Sequence, residues 1–221
     1  MRTTISIILF TCFIPLVQAY DDIGQLPADS ITPLFSIEKL KQAMLASEPS
    51  SCQPHLKDLT VVKVKYIGFD EKEHLGCIII HKELANDILD IFKTLYHNRF
   101  PIADIHPAGR KPNTTIAYNC RAVSNQPGIL SQHSFGRAID INPLINPYVN
   151  GEQVLPKEGK PYVDRHCHHK GLINKEGLVY KLFEAHGWDW GGHWLDVQDY
   201  QHFEKRANGE KRNPLGYGNH H

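Results

Sequence analysis

Apolar residues alternate through Leu59 to Tyr66 at Val62, Val64 and Tyr66, and a second β-rich run covers Gly76 to Ile80. With the charged turn Asp70-Glu71-Lys72-Glu73 between them, the two runs predict a hairpin with a long loop. From Glu83 to His97 the period changes, and Leu84, Ile88, Ile91, Phe92 and Leu95 fall on one face of a helix. That stripe is expected to cover one face of a sheet. Ser36 to Ala46 predicts a shorter helix with Ser36 as its N-cap. Thr115 to Val123 and Arg137 to Ile141 read as strands, and Gly177 to Gly187 as a helix ended by Gly187. Leu195 to Glu204 predicts a turn and a last short strand. Residues 48–55, 100–112 and 142–170 are rich in breakers and predict loop, the last an irregular excursion. Strands mixed with a few helices point to one α+β domain.

The N-terminus changes the picture of where the chain works. Met1-Arg2 precede an apolar run from Ile5 to Val17, and small Ala19 closes it. The run is interrupted and shorter than the roughly 20 residues a spanning helix needs, so residues 1–19 read as a cleaved signal peptide and the protein as periplasmic or secreted. About 200 residues then remain, enough for one sizeable core. Their expected division is an N-terminal extension over 20–57, a domain over 58–206 and a tail over 207–221. The 24 basic and 24 acidic residues balance, which argues against nucleic acid or an anionic membrane as the main partner. Cys12 leaves with the signal. Cys52, Cys77, Cys120 and Cys167 stay, an even count that suits disulfides in an oxidising compartment. Of the three possible pairings, Cys52–Cys77 with Cys120–Cys167 closes the most modest loops.

The segment Ser131-Gln132-His133-Ser134-Phe135-Gly136-Arg137-Ala138-Ile139-Asp140-Ile141-Asn142 carries the candidate chemistry. On a strand, Ile139 and Ile141 point to one face while Ala138, Asp140 and Asn142 point to the other. Gly136 permits a close turn that brings the His133 imidazole beside the Asp140 carboxylate. A catalytic zinc takes three protein ligands, so a third must come from elsewhere. Asp199-Tyr200-Gln201-His202-Phe203-Glu204 offers His202 as that ligand and Asp199 as a carboxylate to handle a proton.

Ser131-x-His133-x-x-Gly136-x-Ala138-x-Asp140 followed by Asp199-x-x-His202 resembles the D-Ala-D-Ala carboxypeptidase family of zinc peptidases. Asn119-Cys120-Arg121, Ile139-Asp140-Ile141-Asn142-Pro143, Asn146-Pro147-Tyr148, Gly187-Trp188-Asp189-Trp190-Gly191-Gly192 and Asp199-Tyr200-Gln201-His202-Phe203 bring the chain nearest to the L-alanyl-D-glutamate endopeptidase branch, the endolysins. The resemblance spans roughly Leu59 to Glu204. It implies a small antiparallel sheet carrying one zinc ion, with a few packed helices, as in hedgehog and DD-peptidase folds. It implies His133, Asp140 and His202 as ligands and Asp199 as the catalytic carboxylate, which is glutamate in many relatives. It also implies that Arg121 steadies a carbonyl or oxyanion and that Ser131 stands beside the metal. The substrate it implies is a peptidoglycan stem peptide, cut by a monomer acting as a D-alanyl-D-alanine carboxypeptidase. The alternatives are L-alanyl-D-glutamate endopeptidase action, a non-catalytic metal-dependent binding protein, and an exported effector acting on another peptide. His193 is a further candidate substrate contact, against a packing role. Trp188, Trp190 and Trp194 suit core and pocket wall better than a sugar platform. Adjacent residues do not converge easily on one ion, so Arg165-His166-Cys167-His168-His169 reads as a solvated loop.

Overall fold

The computed structural model describes residues 30–31, 42, 44, 47–107, 111–124 and 126–216. The expected signal segment, Cys12 and most of the helix expected over Ser36 to Ala46 lie outside these residues. Gln42 and Met44 within that span are helical.

The expected hairpin is present and longer than its apolar alternation. Strand β2 (Leu59–Ile67) pairs antiparallel with β3 (Glu73–His81), and β1 (Ser30–Ile31) adds to the other edge of β2. Nearly all of β2 is buried because both faces of the hairpin are covered. On one face, Val62, Val64, Tyr66, Ile78 and Ile80 pack with Ile88, Ile91, Phe92 and Leu95 of helix α1 (Ala85–His97). A 3-10 turn (Lys82–Leu84), capped by the His81 side chain, leads into that helix. Leu59, Val61 and Ile79 on the other face meet Met44, Leu56 and Tyr118 in a smaller cluster.

The rest of the chain supplies short strands. β4 (Ala122–Val123) pairs with β5 (Gln126–Leu130). β6 (Ala138–Asp140) lies beside β11 (His202–Glu204), which also pairs with β9 (Asp189–Trp190). β7 (Tyr148–Asn150) pairs with β8 (Gln153–Leu155) and with β10 (Gln198–Asp199). Helix α2 (Leu178–Ala185) precedes β9 and buries Val179 and Phe183. Ile139, Ile141, Phe183, Trp188, Trp190 and Phe203 join the larger core, so the short sheets and the hairpin share one apolar interior. The architecture is mixed α and β with small antiparallel sheets, compatible with one domain. Among the described residues no helix is long and apolar enough to cross a membrane.

Three expectations change. The strand expected over Thr115 to Val123 is reduced to single bridges, Thr115 to Ile105 and Ile116 to Asp140 of β6, and to β4 at its end. The excursion over 142–170 contains the β7–β8 hairpin and a 3-10 turn (Lys157–Tyr162). Asn142, expected on the strand face of Asp140, lies past the end of β6 and is buried. It adopts a left-handed φ of 47°, a conformation asparagine tolerates better than most residues. Its side-chain oxygen accepts from the Ala103 amide at 2.9 Å, and its amide donates to the Pro101 carbonyl at 2.9 Å.

The cysteine pairing also differs. Cys52 is joined to Cys120, with Cα atoms 6.0 Å apart, while Cys77 and Cys167 are free thiols. Preference for modest loops misleads here because packing decides proximity. The 3-10 turn after Cys52 (Gln53–Asp58) and the stretch bearing Tyr118 and Cys120 both cover the outer face of the hairpin. Cys77 packs against the same cluster without meeting either partner, and Cys167 is exposed beside Asp164. Alkylation without reduction is therefore expected to label Cys77 and Cys167 and to spare Cys52 and Cys120 in a peptide map. The bond closes a loop with a sequence separation of 68, and Cys120→Ser should lower unfolding free energy by about 2–4 kcal/mol in denaturant titrations.

Candidate metal centre and cavity

The strand register builds the centre. Asp140 and His202 are direct partners across β6 and β11. His133 reaches them from a 3-10 turn (Gln132–Phe135) that Ser131 caps, its hydroxyl accepting from the His133 amide at 3.3 Å. Gly136 ends that turn at a left-handed φ of 63°. A Cβ there would stand 2.7 Å from the His81 amide nitrogen, so only glycine suits the position.

The hydrogen bonds of the two imidazoles fix what they present inward. His133 Nδ1 lies 2.5 Å from the Ala117 carbonyl, which can only accept, so Nδ1 carries the proton and Nε2 offers its lone pair. His202 Nε2 lies 3.1 Å from a Glu204 carboxylate oxygen, so Nε2 is the donor and Nδ1 faces inward. His133 Nε2, His202 Nδ1 and Asp140 Oδ1 are then mutually separated by 3.0, 3.1 and 3.2 Å. Without a metal, a proton on His202 Nδ1 shared with Asp140 holds the contact; a bound cation would take the place of that proton. Ligands of a tetrahedral zinc at about 2.0–2.1 Å are separated by about 3.3 Å, so the donor set and its spacing fit the ion. Among the described residues this is the one group able to hold a metal.

The same field acts on protons. Burial alone would lower the His202 pKa, but hydrogen bonds to Asp140 and Glu204, with the charges of Asp140 and Asp199, raise it to about 10. Burial would raise Asp140, yet the charge and hydrogen bond of His133, with those of His202, hold its carboxyl well below the usual range. Asp199 behaves differently. Burial pushes its carboxyl up to about 6, opposed by His202 and reinforced by the neighbouring Asp140 charge. Asp199 lies opposite Tyr148 across β10 and β7, and its Oδ1 accepts from the Gln201 amide at 3.1 Å. Gly191 lets this strand approach closely, since a Cβ there would lie 2.6 Å from the Asp199 carbonyl oxygen.

Asp199 and His202 open onto a cavity of about 410 Å³ that Arg121, Tyr148, Trp194 and Arg212 also line. The Arg121 backbone is held by the Ser134 hydroxyl, at 2.9 Å to its amide and 2.8 Å to its carbonyl. Its guanidinium makes no hydrogen bond or ion pair with the described residues.

The comparison with protein families falls on this site. Residues 124–205 match the D-alanyl-D-alanine carboxypeptidase family model. That stretch holds His133, Asp140, Asp199 and His202, and the match supports a peptidase. Arg121 lies just before it and Arg212 beyond it. No curated protein and no solved structure matches the chain.

Other expected site residues fall elsewhere. Ser131 acts through its cap on the His133 turn and does not line the cavity. His193 is exposed and packs its ring 5.1 Å from Tyr180 and 5.0 Å from Trp190, away from the cavity-lining residues. It ends the 3-10 turn Gly191–His193 and is not among the residues that line the cavity. Trp188 and Trp190 are core, and Trp194 is a buried cavity wall. The histidines at 166, 168 and 169 are exposed and gather on no ion.

Glu204 was not singled out from the sequence. Period-two alternation could have found it, because residue 204 shares a strand face with His202. Arg206 steadies it further, donating to its other oxygen at 2.7 Å.

Glu204→Gln is expected to weaken zinc binding about 10–100-fold in chelator competition, because the imidazole loses its charged acceptor. Asp196 supplies a pH-dependent outcome. Burial would raise its carboxyl, but the Arg212 guanidinium, donating at 2.8 and 2.7 Å, holds it below its ordinary value. A depressed folded-state pKa contributes stability that is fully present above the unfolded value near ~3.9 and disappears as pH falls through the folded value. Asp196→Asn should therefore be less stable than wild type at pH 7, with the gap closing below about pH 4 in urea unfolding.

Proposed function

We propose that this chain is an exported zinc peptidase that hydrolyses peptide bonds of bacterial peptidoglycan in the manner of a D-alanyl-D-alanine carboxypeptidase. The observation that carries the reading is the convergence of His133, Asp140 and His202 beside a cavity that presents Asp199 and Arg121. The family match over the same residues supports it. Two imidazoles and one carboxylate suit zinc better than the harder divalent ions. When bound, a zinc ion supplies a Lewis acid for the scissile carbonyl and makes water more acidic.

The remaining chemistry belongs to the side chains. Asp199, with its carboxyl raised towards neutrality, is suited both to take a proton from the attacking water and to return it to the leaving amine. Burial keeps this carboxylate away from bulk water, and the Gln201 amide fixes one oxygen and so directs the other. Arg121 carries donors with no competing acceptor among the described residues and can stabilise the oxyanion of a tetrahedral intermediate. No serine or cysteine nucleophile is needed. Export fits the apolar leader ending at Ala19 and the Cys52–Cys120 bond. The partner in this reading is a stem peptide, and the enzyme acts as a monomer.

Defined muropeptides incubated with the mature chain should lose a terminal alanine by mass, and a strong chelator should abolish the loss. Cleavage between L-alanine and D-glutamate would transfer the reading to the endopeptidase. Binding without any product would leave a metal-dependent binding protein. Asp199→Ala should retain zinc and lower kcat by about 10²–10⁴-fold. Full turnover in that variant removes Asp199 from the mechanism.

A further inference from the structure

The family match ends at residue 205, but the cavity wall continues beyond it. We propose that the segment 211–216 completes the metal centre, and that Arg212 is a positioning residue holding Trp194 against His202. This rests on the reading of His133, Asp140 and His202 as metal ligands.

The segment is tied to the loop that carries Trp194 at several points. The Pro214 carbonyl accepts from the amides of Leu195 at 2.7 Å and Asp196 at 3.2 Å. Asp189 Oδ2 accepts from both the Arg212 amide and Trp194 Nε1, each at 3.3 Å. Gly216 comes so close that a Cβ would stand 2.6 Å from Asp196 Oδ2, and its φ of +94° suits only glycine. A segment that sequence alone marks as a tail is thus clamped over the cavity.

Arg212 is the centre of the clamp. Its side chain is buried and grips both oxygens of Asp196, at 2.8 and 2.7 Å. The guanidinium lies 4.1 Å from the centre of the Trp194 ring, and that ring lies 5.2 Å from the ring of His202. His202 is otherwise oriented by Asp140 at Nδ1, Glu204 at Nε2 and the His133 ring at 4.9 Å. Trp194 supplies the apolar wall against which these polar contacts hold the imidazole. Metal ligands must stay within about 0.5 Å of their working geometry, so a wall free to move loosens the centre. Without Arg212 the indole would lose its stacked cation, and Asp196 would lose its ion-pair partner. The loop running from Trp194 to Asp199 would lose its anchor as well. Lysine cannot substitute, because the task needs a planar group that forks to a carboxylate while stacking on an indole.

The test compares the mature chain with Arg212→Ala, Arg212→Lys, Trp194→Ala and the double Arg212→Ala/Trp194→Ala. It reads zinc affinity by chelator competition, thermal unfolding, and kcat and KM on muropeptides. Arg212→Ala and Arg212→Lys should each lose about 10–100-fold in zinc affinity, with kcat falling more than KM rises. The double variant should bind zinc no more weakly than Trp194→Ala, since one residue acts through the other. Zinc affinity within twofold of wild type in Arg212→Ala, whatever its melting temperature, overturns the proposal. So does a double variant whose losses multiply. Should Arg212→Ala fail to fold, Asp196→Asn keeps the stack while loosening the fork, and a severalfold loss of zinc affinity is expected. An unchanged affinity there overturns the proposal too. A wild type that binds zinc but leaves muropeptides intact would defeat the peptidase reading alone, because the affinity series still decides this one. A wild type that binds no zinc defeats both.

Discussion

Three lone pairs held within 3.2 Å of one another make a centre that is unfavourable without positive charge among them. Each imidazole is turned to this task by a partner on its far nitrogen, the Ala117 carbonyl for His133 and the Glu204 carboxylate for His202. If either partner were a donor, the ring would present a proton inward and the centre would lose a ligand. The rise of His202 to about 10 and the depression of Asp140 describe an imidazolium paired with a carboxylate, whose inward proton a bound cation would displace. Around this centre the rest of the molecule behaves as scaffolding that prevents the three groups from moving apart.

That scaffolding is built from very short strands, which are weak by themselves. β6 and β11 each span three residues, yet their register sets Asp140 opposite His202. Such strands persist because their other faces are apolar. Ile139 and Phe203 lie fully buried in the interior that β2, β3 and α1 also fill. A two-faced strand therefore joins the core to the chemistry: its apolar side chains fix the backbone, and the backbone fixes the ligands. Asp199 reaches the site by a separate route, through the pairing of β10 with β7, which belongs to another sheet. Gly191 couples the two sheets, because its missing side chain lets the Asp199 backbone come close to the end of β9.

The cavity is asymmetric in how its two arginines are held. Among the described residues the Arg121 guanidinium has no hydrogen-bond or ion-pair partner, whereas Arg212 is committed to Asp196 and Trp194. Two arginines in one pocket thus do different work, and only the hydrogen-bond partners of each reveal which. The three tryptophans are buried, so none offers an open face for a sugar ring to stack upon.

The sequence by itself determined the main hairpin and its following helix, and singled out His133, Asp140 and His202, which the fold gathers. The periods at Val62, Val64 and Tyr66 and across Glu83 to His97 were legible because burial on one face imposes a repeat on neighbouring residues. The spacing from His133 to Asp140 was legible for a related reason, since a glycine-ended turn and a strand are both local. What only the tertiary structure decided involves residues far apart in the chain. It paired Cys52 with Cys120, bonded Asn142 to Ala103 and Pro101, set His193 against Tyr180 and Trp190 and brought Arg212 onto Trp194. Each depends on which surfaces the core places side by side. A linear pattern records which face of an element is apolar, but not which distant segment will cover it.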